Sequence, residues 1–323
     1  MPTRTLRTGK LPAQPARPRL LLKPAFGPLG LPVAPAAVDY SDIPSIGMLG
    51  NADWGDCVEA GVGHVVEQDT RYATGAEQVV TDAATLDLYS ALTGFNPDDP
   101  NTDQGTVVQD ALDYWRKTGV FTDSAGKTHK IAAFAAVTLT DFNEIENAVD
   151  LFGQVVIGFN FPDSAMNQFN AGQPWTVVKG SPIDGGHCVV LVGYDANWLY
   201  VLTCGAVQKM ARAFWTTYVD EAWVVVTQET IKTQGANAYG GVVDLATLGS
   251  DFSDLTGDPN PFPDPNPTPV PVPTPPPAPI PADQQLSTFL RMRAVQRWMN
   301  EGHLGTTTKR VVAELRAWLK TQP

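Results

Sequence analysis

Gly50-Asn51-Ala52-Asp53-Trp54-Gly55-Asp56-Cys57-Val58-Glu59-Ala60-Gly61-Val62-Gly63-His64 is the stretch whose reading decides the fold. A Gly-Asp turn delivers one cysteine directly ahead of Val58, Gly61, Val62, Val65 and Val66, small and apolar residues at helical spacing. Cys57 therefore opens a helix. A helix N-terminus presents unpaired N–H groups and about half a positive charge, so a thiolate is favoured there and the thiol pKa is expected to fall. A lone cysteine serves equally well as a small buried hydrophobe, so the stretch alone leaves both readings open.

A nucleophilic cysteine needs an imidazole held against it, and that imidazole usually comes from far along the chain. The sequence has four histidines. His64 follows Cys57 on the same helix by about two turns, roughly 10 Å, which is too far to touch the sulfur. His129 stands in a Gly-Lys-Thr-His-Lys turn and His303 in a remote segment, both expected to be solvated. His187 opens Gly-Gly-His-Cys-Val-Val-Leu-Val-Gly-Tyr-Asp, an apolar run that fixes the ring at a strand start, 130 positions after Cys57 (187 − 57).

From Val38 to Gln228 these pieces, in this order, resemble the papain-like cysteine peptidases. Val38-Asp39-Tyr40 is similar to the family's mature N-terminus, Gly55 and Cys57 to its Gly-x-Cys core, and Phe152-Gly153-Gln154-Val155-Val156-Ile157 to its Gly-Pro-Val strand. The resemblance implies an α+β, two-lobed fold: a helical lobe facing an antiparallel β lobe, with the site in the cleft between them. It implies Cys57 as nucleophile and His187 as its base. Asn51, six positions before the cysteine, falls where the family has the oxyanion-hole glutamine. Gly55, Gly105 and Gly186 fall where substrate main chain binds. The asparagine that orients the family's imidazole falls at Thr203, in Leu202-Thr203-Cys204-Gly205-Ala206, and the tryptophan that shields it is absent. A threonine hydroxyl can accept the imidazole N–H in its place, with Asp184 and Asp195 as alternative orienters. Met48-Leu49-Gly50-Asn51-Ala52-Asp53-Trp54-Gly55-Asp56-Cys57 is also similar to papain-like proteins of actinobacteria and their phages, which makes a virion component conceivable.

Composition bounds the rest. The chain has 323 residues, 43% apolar and 9% aromatic, enough for a sizeable core, and a net charge of −12 with pI near 4.7 that argues against a nucleic-acid surface. Its three cysteines cannot all pair and make no metal-ligand spacing, so neither metal nor cofactor is expected, and Cys188 and Cys204 are expected as core residues on strands. Residues 1–37 form a basic arm, with Arg4, Arg7, Lys10, Arg17, Arg19 and Lys23 set among prolines. The expectation there is an extended segment that docks on an acidic surface, straps the site as an autoinhibitor or trails as a solvated tail. Leu20-Leu21-Leu22, broken by Lys23 and Pro24, makes a poor secretory core, so no signal peptide is expected, nor any membrane span. The sequence leaves the compartment undecided between cytoplasm and virion.

Residues 38–256 read as the papain-like domain, with helices expected from Cys57, near Asp82 to Thr93, from Thr106 to Thr118 and, capped by Thr140, through Leu151. Strands are expected over 155–159, 175–178, 187–192, 198–202 and 223–227. Residues 257–281 are a proline-rich polyproline spacer. Residues 282–323 read as a basic two-helix hairpin with too little core to stand alone, expected to bind a partner or self-associate. The function expected from all this is hydrolysis of a protein or cell-wall peptide through an acyl-enzyme. The alternatives are a docking subunit that has lost its chemistry and an acyltransferase using the same dyad.

Overall fold

The computed structural model describes residues 7–17, 19, 21–22, 33–203 and 205–227. Cys204, His303, the proline-rich spacer and the C-terminal hairpin lie outside the described residues. Among the described residues, six α-helices and nine strands run in the order β1 (Val38–Asp39), α1 (Cys57–Thr74), α2 (Asp82–Thr93), α3 (Val108–Lys117), β2 (Val120–Thr122), β3 (Thr128–His129), β4 (Ile131–Ala136), α4 (Phe142–Phe152), β5 (Val155–Pro162), α5 (Asp163–Asn170), β6 (Ile183–Tyr194), β7 (Trp198–Thr203), β8 (Ala206–Ala211), α6 (Arg212–Tyr218) and β9 (Val219–Thr227).

The main sheet is antiparallel throughout, in the order β4-β9-β5-β6-β7-β8, with β1 added to β6. Its alternation sorts side chains between two cores. Val155, Ile157, Phe159, Phe161, Val189 and Leu191 join Trp175, Phe214 and Trp215 on the face covered by α4, α5 and α6. Val156, Cys188, Val190 and Val192 face the other way, onto Cys57, Val58, Val62 and Val65 of α1. Helical lobe and sheet lobe thus meet along β6, where Gly61 of α1 lets the helix approach so closely that an added Cβ would stand 3.3 Å from Cys188 Sγ.

Helix α1 is more deeply embedded than its apolar stripe predicts, with every residue from Cys57 to Thr70 buried. Several of its polar side chains find partners on neighbouring segments. Glu67 accepts from Val80 N at 3.0 Å and faces His64 Nδ1 at 3.1 Å; Gln68 donates to the Gly153 carbonyl at 2.8 Å; Thr227 donates to Asp69 at 2.6 Å. Helix α2 has the boundaries read from sequence, with the Thr81 hydroxyl capping Ala84 N. Helix α4 ends at left-handed Gly153, but Asp141 rather than Thr140 caps it, because the Asp141 carboxylate accepts from Glu144 N.

Two further local expectations are corrected. Residues 175–178 form no strand: Trp175 makes a single bridge to Met210, after which the chain turns away and exposes Val177 and Val178. His129 is not solvated. It is buried, and its Nε2 lies 2.6 Å from Gln78 Oε1, because the β2–β3 hairpin folds it under the helical lobe. Strands β4 and β8 and helices α5 and α6 were not legible. The Ile-Ala-Ala-Phe-Ala-Ala run of β4 lacks β-branched residues beyond Ile131 and becomes a strand by pairing with β9.

Candidate active site

The Gly50–Asp56 turn sets the first half of the site. Gly50 is left-handed, at φ +89°, which brings the Asp56 carboxylate back over the turn. Asp56 makes no side-chain cap to α1; its Oδ1 accepts from Asn51 Nδ2 at 3.2 Å. Cys57, the first residue of α1, is fully buried. Its thiol lies against the backbone N–H groups of Cys188 and Gly9, so the thiol-bearing helix end meets the strand one residue beyond His187.

His187 stands near the start of β6, opposite Phe159. Its ring packs edge-on against Phe159 and Phe161 at centroid distances of 5.8 and 5.3 Å. Nε2 lies 3.1 Å from Thr203 Oγ1, the position matched to the family's orienting asparagine. Asp195, an alternative orienter, is instead engaged at the far end of β6 by Tyr200, Asn197 and Trp198.

The remaining predicted residues converge on the N-terminal arm. Arg7 to Leu11 run through the channel between the lobes as a peptide. Gly9 N and Lys10 N each donate to the Gly186 carbonyl at 3.0 Å, Leu11 N donates to Thr106 O at 2.9 Å, and Thr106 N donates to Gly9 O at 2.8 Å. Arg7 N donates to Asn51 O at 2.9 Å, and Asn51 Nδ2 donates to Arg7 O at 3.1 Å. The three predicted glycines form the channel wall. A Cβ on Gly105, which is left-handed at φ +76°, would lie 2.0 Å from Gly9 O, and one on Gly186 would lie 2.2 Å from Lys10 O. Gly9 itself packs so tightly that its own Cβ would lie 1.7 Å from Gly55 O. Further along, Arg17 pairs with Asp110 and with Asp113 at 2.5 and 2.7 Å, so this part of the arm is no solvated tail.

Several contributors carry no sequence signal. Asp103 accepts from Gly55 N and from the Tyr89 hydroxyl, which in turn accepts from Gly105 N at 2.7 Å, fixing the wall on the helical side. Glu59 accepts from the Thr106 hydroxyl at 2.6 Å. Lys10 reaches out of the channel to Asp220 and Glu221 at the start of β9. Contacts this distant in sequence are visible only once the chain is folded.

Electrostatics reverse one expectation. Burial, more than anything else, pushes the Cys57 thiol well above its ordinary value; the Cys188 and Gly9 N–H groups offset part of this and Glu59 adds to it. The helix-end effect is outweighed because no water reaches the sulfur. Burial also pushes His187 down to about 3. Asp56 and Glu59 are both pushed up to about 8, chiefly by burial, and each charge would oppose a thiolate beside it. With the arm in place, burial favours the neutral thiol of Cys57 and, separately, the neutral imidazole of His187.

No family model and no curated protein matches the chain. Among solved structures it is similar to xylellain, a cysteine protease from Xylella fastidiosa, at TM-score 0.53 and 17% identity over 70% of this chain and 98% of that one. Procathepsin B S9 from Trypanosoma congolense aligns at TM-score 0.48 and 11% identity, over 70% of this chain and 87% of that one. Procathepsin L 3 of Tenebrio molitor aligns at 0.45 and 15%, over 69% and 76%. Together with the helical lobe, the antiparallel sheet and the channel between them, the likeness to xylellain establishes that this chain has the papain-like fold.

Proposed function

We propose that the chain is a cysteine peptidase that hydrolyses peptide bonds with Cys57 and His187, and that it is held latent by its own N-terminal arm. The observation that carries this reading is the peptide already lying in the channel. Extended backbone is hydrogen-bonded on one side by Gly186 and on the other by Thr106, directly over the Cys57 thiol. Such a channel recognises main chain, which every peptide substrate supplies.

Displacing the arm admits water and removes the burial that holds both groups neutral. The proton then passes from the thiol to the imidazole, whose Nε2 stays on the Thr203 hydroxyl. The thiolate attacks the substrate carbonyl carbon, and the oxygen takes up negative charge. The Asn51 amide, which already donates to a peptide carbonyl, and the Cys57 N–H at the start of α1 stabilise that oxyanion. Collapse breaks the C–N bond as the imidazolium gives its proton to the leaving amine. His187 then takes a proton from water, the hydroxide attacks the thioester, and the thiol is restored.

A second reading, a docking subunit that kept the fold and lost the chemistry, draws on Thr203 standing where an amide is expected. One experiment separates them. Under the peptidase reading, a thiol-directed irreversible peptidase inhibitor labels Cys57 in arm-displaced protein far faster than Cys188, and Cys57→Ala abolishes cleavage of a peptide library. Equal, slow labelling of Cys57, Cys188 and Cys204 with no cleavage refutes the peptidase reading and favours the docking one.

A further inference from the structure

Lys10 is an unusual residue to find buried. Its side chain is 1% exposed, yet it leaves the channel and runs over β5 to the carboxylates that open β9. Nζ lies 2.5 and 2.7 Å from the two Asp220 oxygens and 3.2 Å from Glu221 Oε1. The path it takes exists because residue 158 is glycine: a Cβ there would stand 2.4 Å from Lys10 Cε and 2.8 Å from Glu221 Cγ. Glu221 is held in position by Trp223, whose indole N–H donates to Oε2 at 2.9 Å, leaving Oε1 facing the lysine. The glycine floor, the fixed carboxylate and the half-open one all belong to the sheet lobe. Only the cation comes from the arm.

Taking the peptidase reading as its basis, we propose that Gly158, Asp220 and Glu221 form a specificity pocket for a basic side chain, Lys or Arg, of a peptide substrate, and that Lys10 occupies it as the arm's stand-in. The register supports this assignment. Lys10 directly follows Gly9, the residue whose backbone lies against the Cys57 thiol, and its own backbone pairs with Gly186 and is bracketed by Thr106. A substrate held by the same main-chain groups presents a side chain at the same place. A buried ammonium opposite two carboxylates is stabilised where an isosteric apolar chain leaves both carboxylates without a counter-charge. The pocket therefore discriminates through charge as well as length, with the glycine floor admitting the long stem.

The test uses the full chain carrying Gly9→Ala, whose added methyl would stand 1.7 Å from Gly55 O and so expels the arm, together with Lys10→Ala, which withdraws the arm's cation; every channel and pocket residue of the two lobes is kept. Binding of the synthetic peptide Arg-Thr-Gly-Lys-Leu-Pro, measured by calorimetry with Cys57→Ala added to prevent turnover, is expected to be at least tenfold tighter than binding of the same peptide with norleucine for lysine. Glu221→Gln, and separately Asp220→Asn should Glu221→Gln fail to fold, are expected to reduce that ratio to within twofold. Equal binding of the two peptides, or no binding of either, overturns the pocket assignment whatever the catalytic outcome. In the Cys57-intact form, a fluorogenic panel scanning Lys and Arg through the positions either side of the scissile bond should be cleaved at least tenfold faster with the basic residue one position from the attacked carbonyl. Cleavage without that preference refutes the pocket and leaves the peptidase standing. Lysine-selective binding with no cleavage of any peptide refutes the peptidase and leaves the pocket.

Discussion

Gly9→Ala offers the most direct way to open the channel without altering any residue of either lobe. The added methyl would stand 1.7 Å from Gly55 O, 2.3 Å from Gly55 C and 2.6 Å from Gly55 Cα, where ordinary contacts begin near 3.4 Å. Backbone on both sides cannot yield, so the arm must leave. Leaving breaks the four hydrogen bonds that flank Gly9: Gly9 N and Lys10 N to Gly186 O, Thr106 N to Gly9 O, and Leu11 N to Thr106 O. At about 0.5–1.5 kcal/mol net apiece these amount to about 2–6 kcal/mol, a factor of about 30 to 10⁴ in the open population. The assay is the second-order rate constant for alkylation of Cys57 by iodoacetamide at pH 7, with buried Cys188 as internal reference and Cys57→Ser as blank. Labelling at least about 30-fold faster than in the parent chain is expected, with unchanged circular dichroism. A folded Gly9→Ala protein whose Cys57 reacts no faster than the parent would refute the claim that the arm is what shields the sulfur.

Other outcomes follow from the same geometry. Thr203→Val leaves the buried His187 Nε2 without the hydroxyl at 3.1 Å, so it should cost about 1–3 kcal/mol in denaturant stability. In the Gly9→Ala background it should also lower kcat/KM by about 10- to 100-fold if the lost orientation is felt in full at the transition state, with Thr203→Asn restoring most of it. Asp56 and Glu59, with folded pKa values raised from 3.8 and 4.5 to about 8, stabilise the fold most below about pH 4, and that contribution is lost as pH rises through 8. The melting temperature should therefore fall between pH 6 and pH 9, and Asp56→Asn, which keeps an oxygen for Asn51 to donate to, should flatten the fall. Gly105→Ala places a Cβ 2.0 Å from Gly9 O at a φ of +76°, so it should both release the arm and lower the affinity of any peptide entering in its place.

The sequence carried the architecture because its signals there are local. Small and apolar residues behind Asp56 mark α1, Thr81 and Gly94 bound α2, and Gly153 stops α4. The run from His187 to Tyr194 is too apolar to be anything but a buried strand. The resemblance to the papain-like family was enough to put Asn51, Gly55, Gly105, Gly186 and Thr203 on one list. It could not show that four of them touch the arm, while Thr203 touches His187.

What the folded chain alone decided is environment. A thiol at a helix N-terminus is expected to be acidic from local electrostatics, and Cys57 is not, because residues some fifty positions upstream shut out its water. Lys10 reads as one more charge on a basic arm until Asp220 and Glu221, 210 and 211 positions away, are seen around it. Helix and strand periodicity are written in neighbouring residues. Burial and charge pairing depend on distances between segments the sequence keeps apart, and those distances set the state of the thiol, the imidazole and the pocket beside them.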